Sequence, residues 1–247
     1  MASTELLAHA DSLRAGRRPF VLATVVRAQR PTSAKPGDCA LVLPDGTIEG
    51  FVGGDCAEET VRSQGVRLLG SGHSAVPLLL RITPDATRER CEEGVLTVGN
   101  PCLSGGALEI FLEAQLPPAM VVVFGASPVA RAITSVGREL GYDVRAGRVT
   151  GTDVDLPEDT EAVVVATHGR DEDTVLRAAL SAGVRYIGLI ASRRRGAAVL
   201  AALGVSEEDR SRLHTPAGLD IGARTPAEIA VSVFAELIGT RPAPETP

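Results

Sequence analysis

A cysteine follows a pair of glycines in the stretch FVGGDCAEETV, where Gly53 and Gly54 precede an acid and Cys56. The spacing predicts a capping box, with Asp55 as the N-cap and Glu58 as the third helical residue. A thiol at a helix N-terminus has a lowered pKa, which favours nucleophilic or metal-binding chemistry, while neighbouring carboxylates act against this effect. Taken alone, Cys56 therefore fits a structural role as well as a functional one.

A second cysteine, Cys102, stands in the glycine-rich segment GNPCLSGG. Two cysteines in such turns suggest that backbone amides and soft sulfur atoms converge on one ligand, although spacing alone does not bring them together. Cys39, in a predicted strand, and Cys91, in a charged segment, have weaker claims. The four cysteines form no zinc-type spacing, so free thiols in a reducing compartment are expected.

The turn GASPVA in the second half of the chain resembles a dinucleotide-binding loop only in part. Gly125 occupies the first glycine position of G-x-G-x-x-G, but Ser127 occupies the second and Ala130 the third. Arg145 stands where an acid would hold the ribose hydroxyls. Binding of NAD is therefore not favoured, and a turn with a purely structural role is the alternative.

Two further polar sites follow predicted strands, at the sheet edge where open α/β folds bind ligands. His168 is one, although a lone histidine is more typical of a hydrogen-bonded structural residue. The other is Ser192, which is followed by a run of arginines that begins with Arg193 and Arg194. Arginines in a first helical turn oppose the helix dipole, which a bound phosphate would explain. A solvated arginine-rich face explains them equally well.

These residues are expected on two α/β domains. Residues 1–116 show a helix, several β-branched strands and a second helix, which is an α+β pattern. The segment QLPPA interrupts regular structure and predicts a boundary, after which strands and helices alternate over residues 117–240. Such alternation predicts a Rossmann-like domain with a parallel sheet. Residues 241–247 are expected to be a disordered tail.

The composition excludes several classes of protein. A hydrophobic content of 44% is sufficient for a buried core, and a net charge of −6 argues against general binding to nucleic acid or an anionic membrane. No segment approaches the roughly 20 apolar residues of a membrane span. The N-terminus is polar and unlike a signal peptide, which predicts a cytoplasmic protein.

Taken together, these segments resemble the XdhC/CoxI family, maturation factors for molybdenum hydroxylases such as xanthine dehydrogenase and carbon monoxide dehydrogenase. In the first half the resemblance rests on ATVVRAQRPTSAKPGDCALVLPDGTIEGFVGGDCAEETV and GNPCLSGGALEIFLE. In the second half it rests on VVVFGASPVARAI, YIGLIASRRR and HTPAGLDIGARTPAEIAVSVFAELI. The resemblance covers nearly the whole chain.

The resemblance implies a cofactor chaperone that need not be an enzyme. Such a protein binds the molybdenum cofactor, as molybdopterin or its cytosine dinucleotide, protects it during sulfuration and delivers it to an apo molybdenum hydroxylase. A cysteine desulfurase and a second copy of the chain are further expected partners. Cys56 would contact the metal, and the expected cofactor-binding residues are Gly53, Gly54, Cys56, Glu58, Cys102, Gly125, Ser127, His168, Ser192, Arg193 and Arg194.

Two other functions remain open. The alternating strands and helices also suit an NAD(P)-dependent oxidoreductase. A cysteine-dependent sulfur transferase acting on the cofactor, with Cys56 as nucleophile, is the other alternative.

Overall fold

A computed structural model describes residues 4–86, 88–92, 94–100, 106–167 and 169–241. Cys102, His168 and residues 242–247 of the expected tail lie outside these ranges. The chain divides into two compact units, the first extending to Pro117 and the second covering Pro118–Arg241.

The first unit is an α+β structure, as its sequence predicts. Its helices are α1 (Thr4–Ala15) and α2 (Asp55–Gly70), followed by a short 3₁₀ turn. Its strands are β1 (Phe20–Gln29), β2 (Cys39–Val42), β3 (Ile48–Gly50), β4 (Leu78–Thr83), β5 (Arg90–Glu92), β6 (Val95–Gly99) and β7 (Ala107–Gln115).

These strands form one sheet in the order β3-β2-β1-β7-β4-β6-β5. Neighbours are antiparallel except β4 and β6, which are parallel. Side chains alternate between the two faces of a strand, so β1 serves two cores. Val21 and Val25 pack in the cluster that includes Val61 of α2, whereas Phe20 packs with Leu13 of α1. The helices therefore cover opposite faces of the sheet.

The second unit alternates strands and helices. Its strands are β8 (Met120–Phe124), β9 (Asp143–Ala146), β10 (Val149–Thr150), β11 (Asp153–Val154), β12 (Thr160–Val165), β13 (Tyr186–Leu189) and β14 (Leu213–His214). Its helices are α3 (Pro128–Glu139), α4 (Glu172–Ser181), α5 (Arg193–Leu203), α6 (Glu207–Arg212) and α7 (Pro226–Gly239).

The predicted Rossmann-like fold with a parallel sheet is confirmed. The sheet has the order β14-β13-β12-β8-β9, all neighbours are parallel, and β10 and β11 form a separate hairpin. Helices α3 and α7 contribute Ile133 and Phe234 to the core on one face, while α4 contributes Leu176 on the other. Burial on both faces explains why β8, MVVVF, is apolar throughout.

Candidate functional site

A cavity of about 530 Å³ lies in the first unit, beside the N-terminus of α2. It lies on the α2 side of the sheet, because Ile82 and Leu108 in its wall belong to the core that packs against α2. It is lined by Arg30, Pro31, Thr32, Ser33, Gly54, Ala57, Ile82, Asn100, Gly106 and Leu108. The cavity thus joins a polar segment to an apolar wall.

In the chain, Cys56 lies between Gly54 and Ala57, which line the cavity, but it is not itself one of the lining residues. It is half-buried and disulfide-bonded. The expectation of free thiols holds for Cys39 and Cys91 but is wrong for Cys56. A disulfide requires two cysteines with Cα atoms within about 7 Å, a proximity that sequence spacing does not reveal.

The start of α2 differs from the predicted capping box. Gly54, with extended backbone (φ −74°, ψ 177°), is the N-cap, and no side chain of the described residues caps the helix there. Its carbonyl accepts hydrogen bonds from the N–H groups of Ala57 and Glu58, at 2.9 and 3.1 Å. Asp55 is therefore the first helical residue and Cys56 the second. The prediction of an Asp55 cap is wrong by one residue, because the flexible glycine makes the turn into the helix.

The carboxylates near Cys56 are partly neutralised by one arginine. Arg62 donates to the Glu58 carboxylate at 2.7 Å and forms a second short contact with Glu59. A third bond, from Arg62 Nε to the carbonyl of Gly46 at 3.0 Å, holds the guanidinium in place. Glu58 is thus part of an ion-pair network on the helix surface and does not take the capping-box role that the sequence predicts for it.

The side-chain amide of Asn100 connects two other segments of the cavity lining. Asn100 Nδ2 donates to the carbonyl of Gly106 at 2.6 Å, and Asn100 N–H donates to the carbonyl of Thr83 at 2.9 Å. A side chain at position 106 would collide with the chain opposite, because its Cβ would lie 2.1 Å from the Pro31 carbonyl oxygen. Gly106 therefore allows β7 and the segment around Pro31 to approach closely.

In the second unit, Gly125 occupies the turn after β8. Its φ is +118°, and a Cβ there would lie 2.4 Å from the carbonyl oxygen of Ala166. The Ser127 hydroxyl accepts a hydrogen bond from Ala130 N–H at 3.1 Å and caps α3. Arg145 pairs with Asp143 at 2.9 Å. Each of these residues thus has a local structural role.

The arginines that open α5 have different partners. Ser192 caps the helix by accepting from Arg195 N–H. Arg193 is exposed and pairs with Asp220 at 2.8 Å, while Arg195 pairs with the buried carboxylate of Glu172. Arg194 is exposed. The arginine run therefore does not act as one cluster.

Glu172 lies at the start of α4 and is only 6% exposed. Its Oε1 accepts from the N–H of Gly169 at 2.6 Å and from the hydroxyl of Thr167 at 3.3 Å, in addition to Arg195. Burial alone would raise the pKa of this carboxyl, but the bonds from Arg195 and Gly169 outweigh it and lower the pKa. The sequence does not single out Glu172, because an acid in a first helical turn is common.

A second polar network lies in the core of the same unit. Buried Tyr186 donates to Glu236 Oε2 at 2.7 Å and stacks on His214, with ring centroids 4.5 Å apart. The same carboxylate oxygen accepts from Gly218 N–H at 2.8 Å. These contacts join β13, β14 and α7. They explain why the segment HTPAGLDIG carries a histidine and a tight turn.

Among the residues that the structure describes, no group of three or more His, Cys, Asp or Glu side chains is placed to hold a metal ion. Within the same ranges, no helix is long and apolar enough to cross a membrane.

The arrangement is that of a two-unit α/β protein with a Rossmann domain as its second unit. A model of the XdhC and CoxI family matches residues 13–82, and a model of the XdhC Rossmann domain matches residues 121–237. The residues left unmatched are the chain ends and residues 83–120, which include strands β5, β6 and β7 of the first unit. The chain belongs to the XdhC and CoxI family, as its motifs predict.

Three relatives are similar over much of the chain. YqeB of Escherichia coli (strain K12), described as uncharacterized, is 30% identical over 246 residues, covering 89% of this chain and 43% of that protein. A probable xanthine dehydrogenase subunit from Bacillus subtilis (strain 168) is 29% identical over 181 residues, covering 64% and 53%. The molybdenum cofactor insertion chaperone PaoD of E. coli (strain K12) is 25% identical over 270 residues, covering 90% and 83%. The chain thus spans about half the length of the first two relatives.

Proposed function

We propose that this protein binds the molybdenum cofactor as cargo and takes part in maturation of a xanthine dehydrogenase or carbon monoxide dehydrogenase type enzyme. The observation that carries the proposal is the cavity at the N-terminus of α2, because two of its lining residues, Gly54 and Ala57, stand on either side of Cys56 in the chain. Membership of the XdhC and CoxI family and similarity to an insertion chaperone support it.

The cavity has the size and chemistry for this cargo. About 530 Å³ lies within the range of roughly 300–1,000 Å³ typical of small-molecule sites. Thiolate sulfur is a soft ligand suited to a metal in a sulfur-rich environment. Ala57, Ile82 and Leu108 offer an apolar wall to the flat pterin ring.

Cys56 has to be reduced before it can act as a ligand. A disulfide sulfur carries no thiolate, and the thiolate is the form that binds metals. Reduction by a dithiol breaks the S–S bond, and the two electrons and two protons of the dithiol pass to the two cysteines. We propose that Cys102 binds the cargo through its own thiolate as a second sulfur ligand, with Gly53 and Gly54 shaping the turn and Glu58 holding Arg62 at the helix surface.

The remaining predicted contacts belong to the Rossmann unit and stay predictions. They are Gly125, Ser127, His168, Ser192, Arg193 and Arg194. The expected partners are an apo molybdenum hydroxylase, a cysteine desulfurase and a second copy of the chain.

The test is an anaerobic titration of the reduced protein with molybdenum cofactor, followed by absorbance. Wild type is compared with Cys56→Ser and Cys102→Ser, and Cys39→Ser serves as the control, because Cys39 is a free thiol that packs against the α1 core, on the face of the sheet opposite to the cavity. Loss of binding in Cys56→Ser with retention in Cys39→Ser supports the proposal. Failure of the reduced wild type to bind the cofactor would exclude it.

A further inference from the structure

The segment that joins β1 to β2 forms the polar wall of the cavity. Arg30, Thr32 and Ser33 all line it, and they carry one guanidinium and two hydroxyl groups. The Thr32 hydroxyl oxygen accepts a hydrogen bond from Ala34 N–H at 3.2 Å, and its proton can still be donated to a ligand. Among the lining residues that the structure describes, Arg30 is the only charged one and none is acidic. The lining is therefore electropositive at this end.

Arg30 is available to a ligand. No ion pair or hydrogen bond of its side chain occurs within the described part of the chain, and the residue is exposed. Two of the three arginines that open α5 differ from it, since Arg193 and Arg195 are paired with Asp220 and Glu172. An anion at Arg30 would not have to displace a carboxylate.

The segment is anchored at its C-terminal side, which limits the entropy lost when a ligand binds. Ala34 is 4% exposed and packs in the core. Lys35 N–H donates to Asp38 Oδ2 at 2.8 Å, and this bond is the main cause of the lowered pKa of Asp38. Gly37 N–H donates to the carbonyl of Val25, and Val25 N–H to that of Asp38, both at 2.8 Å.

The combination of groups favours a phosphate. A guanidinium presents a planar fork of N–H donors that matches phosphate oxygens, and hydroxyl groups supply further donors. The N-terminus of α2 at Gly54 borders the same cavity and adds a favourable dipole. The apolar residues Ile82 and Leu108 in the same lining suit an organic body and not a free inorganic ion.

We propose that Arg30, Thr32 and Ser33 form a subsite for the phosphate group of an organic phosphate bound in this cavity. The inference rests on the proposed function, in which the organic phosphate is the molybdenum cofactor. The phosphate end then lies at Arg30, in the first unit, and not at the arginine run of α5. The phosphomonoester of molybdopterin and the pyrophosphate of the dinucleotide form share this chemistry.

The experiment compares wild type, Arg30→Gln and Arg27→Gln, all reduced and anaerobic. Arg27 is the matched control, because it lies near the end of β1 shortly before Arg30 but contacts Glu109 at 3.9 Å and lines a neighbouring cavity instead of this one. Each protein is titrated with molybdopterin, its dephosphorylated form, the cytosine dinucleotide form and inorganic pyrophosphate. Matching melting temperatures show that the variants are folded.

We expect Arg30→Gln to bind molybdopterin about 10–100-fold more weakly, the effect of losing a charge-assisted hydrogen bond. Binding of the dephosphorylated form should be unchanged, and Arg27→Gln should match wild type. An equal loss with the dinucleotide form assigns its pyrophosphate to the same subsite.

Two outcomes separate this inference from the proposed function. If molybdopterin binds wild type and Arg30→Gln equally well, the subsite is wrong and the cofactor function stands. If wild type binds no cofactor but binds pyrophosphate in an Arg30-dependent manner, the subsite stands and the cofactor function is wrong.

Discussion

Gly53 faces the methyl group of Ala57 so closely that a Cβ at position 53 would lie 2.9 Å from the Ala57 Cβ. The same added atom would lie 3.1 Å from Leu108 Cδ1, and the φ of Gly53 is +142°. Both Ala57 and Leu108 line the cavity. The turn before Cys56 can therefore pack closely against the cavity wall because Gly53 has no side chain.

We expect Gly53→Ala to lower the free energy of unfolding by about 2–3 kcal/mol, through backbone strain and overpacking. Gly54→Ala is the control, because a Cβ at position 54 meets nothing within 4 Å and the backbone there has a negative φ. Urea unfolding measures the difference. Equal stabilities of the two variants would contradict the packing described for this turn.

The disulfide of Cys56 predicts a change in the number of free thiols. Cys39 and Cys91 are free, so the oxidised protein, unfolded without reductant, should react with two equivalents of a thiol reagent. After reduction all four cysteines of the chain should react. Cys56→Ser should show an additional free thiol before reduction, because the partner cysteine has lost its bond. Four reactive thiols in the oxidised wild type would disprove the disulfide.

Much of the fold could be predicted because its core strands are locally distinctive. The run MVVVF of β8 and the run of valines in β12 are buried on both faces, and such runs separated by amphipathic helices indicate a parallel sheet. The capping box of α7, from Thr225 to Glu228, is a local feature of the same kind, because all its contacts lie within four residues.

The features that the sequence does not reveal depend on contacts between distant residues. Strand β5 has three exposed residues and exists through its pairing with β6, so it has no hydrophobic pattern of its own. The bond between Arg195 and Glu172 spans 23 residues. Arg30 is equally hard to predict, because the segment RPTSAKPGD does not indicate that a cavity lies beside it. The signal that could have pointed to the site is the arginine close to two hydroxyl residues in this segment.

Because of Glu172, we expect the free energy of unfolding to decrease in acid. Its pKa is lowered in the folded protein, so the stabilisation is present above 4.5, the ordinary value, and is lost as the pH falls through the lower folded pKa. Glu172→Gln should reduce stability at pH 7 by about 2 kcal/mol, because Arg195, one-third exposed, would lose its charged partner. The variant should also show a weaker acid dependence in this range. Both effects are measured by urea unfolding at a series of pH values.

Asp173→Asn provides the matched control for Glu172→Gln. Asp173 is the next residue of α4, and its pair with Arg177, at 2.9 Å, is exposed on both sides. Exposed pairs at this spacing contribute only about 0.3–0.5 kcal/mol, so the control should stay close to wild type. Similar losses in both variants would show that burial of Glu172 has no special effect.

We expect the two tyrosines to ionise at a higher pH than tyrosine in water does. Burial raises the pKa of Tyr186 above 10.0, and its hydrogen bond to Glu236 raises it further, while burial also raises the pKa of Tyr142. Because the chain contains only these two tyrosines and no tryptophan, tyrosinate absorbance near 295 nm reports on them without overlap. Little tyrosinate should form as the pH passes 10.0, and the remainder should appear together with loss of helical circular dichroism.

The fold stabilises the protonated form of both tyrosines, so the free energy of unfolding should decrease as the pH rises. Stability from both phenols is complete below pH 10.0 and is lost as the pH rises towards their folded pKa values. In Tyr186→Phe the only remaining tyrosine titration is that of Tyr142, and in Tyr142→Phe it is that of Tyr186. Because Tyr186 is fully buried and Tyr142 is 8% exposed, Tyr142 should ionise first. Ionisation of Tyr186 near pH 10.0 in the folded protein would contradict both its burial and its bond to Glu236.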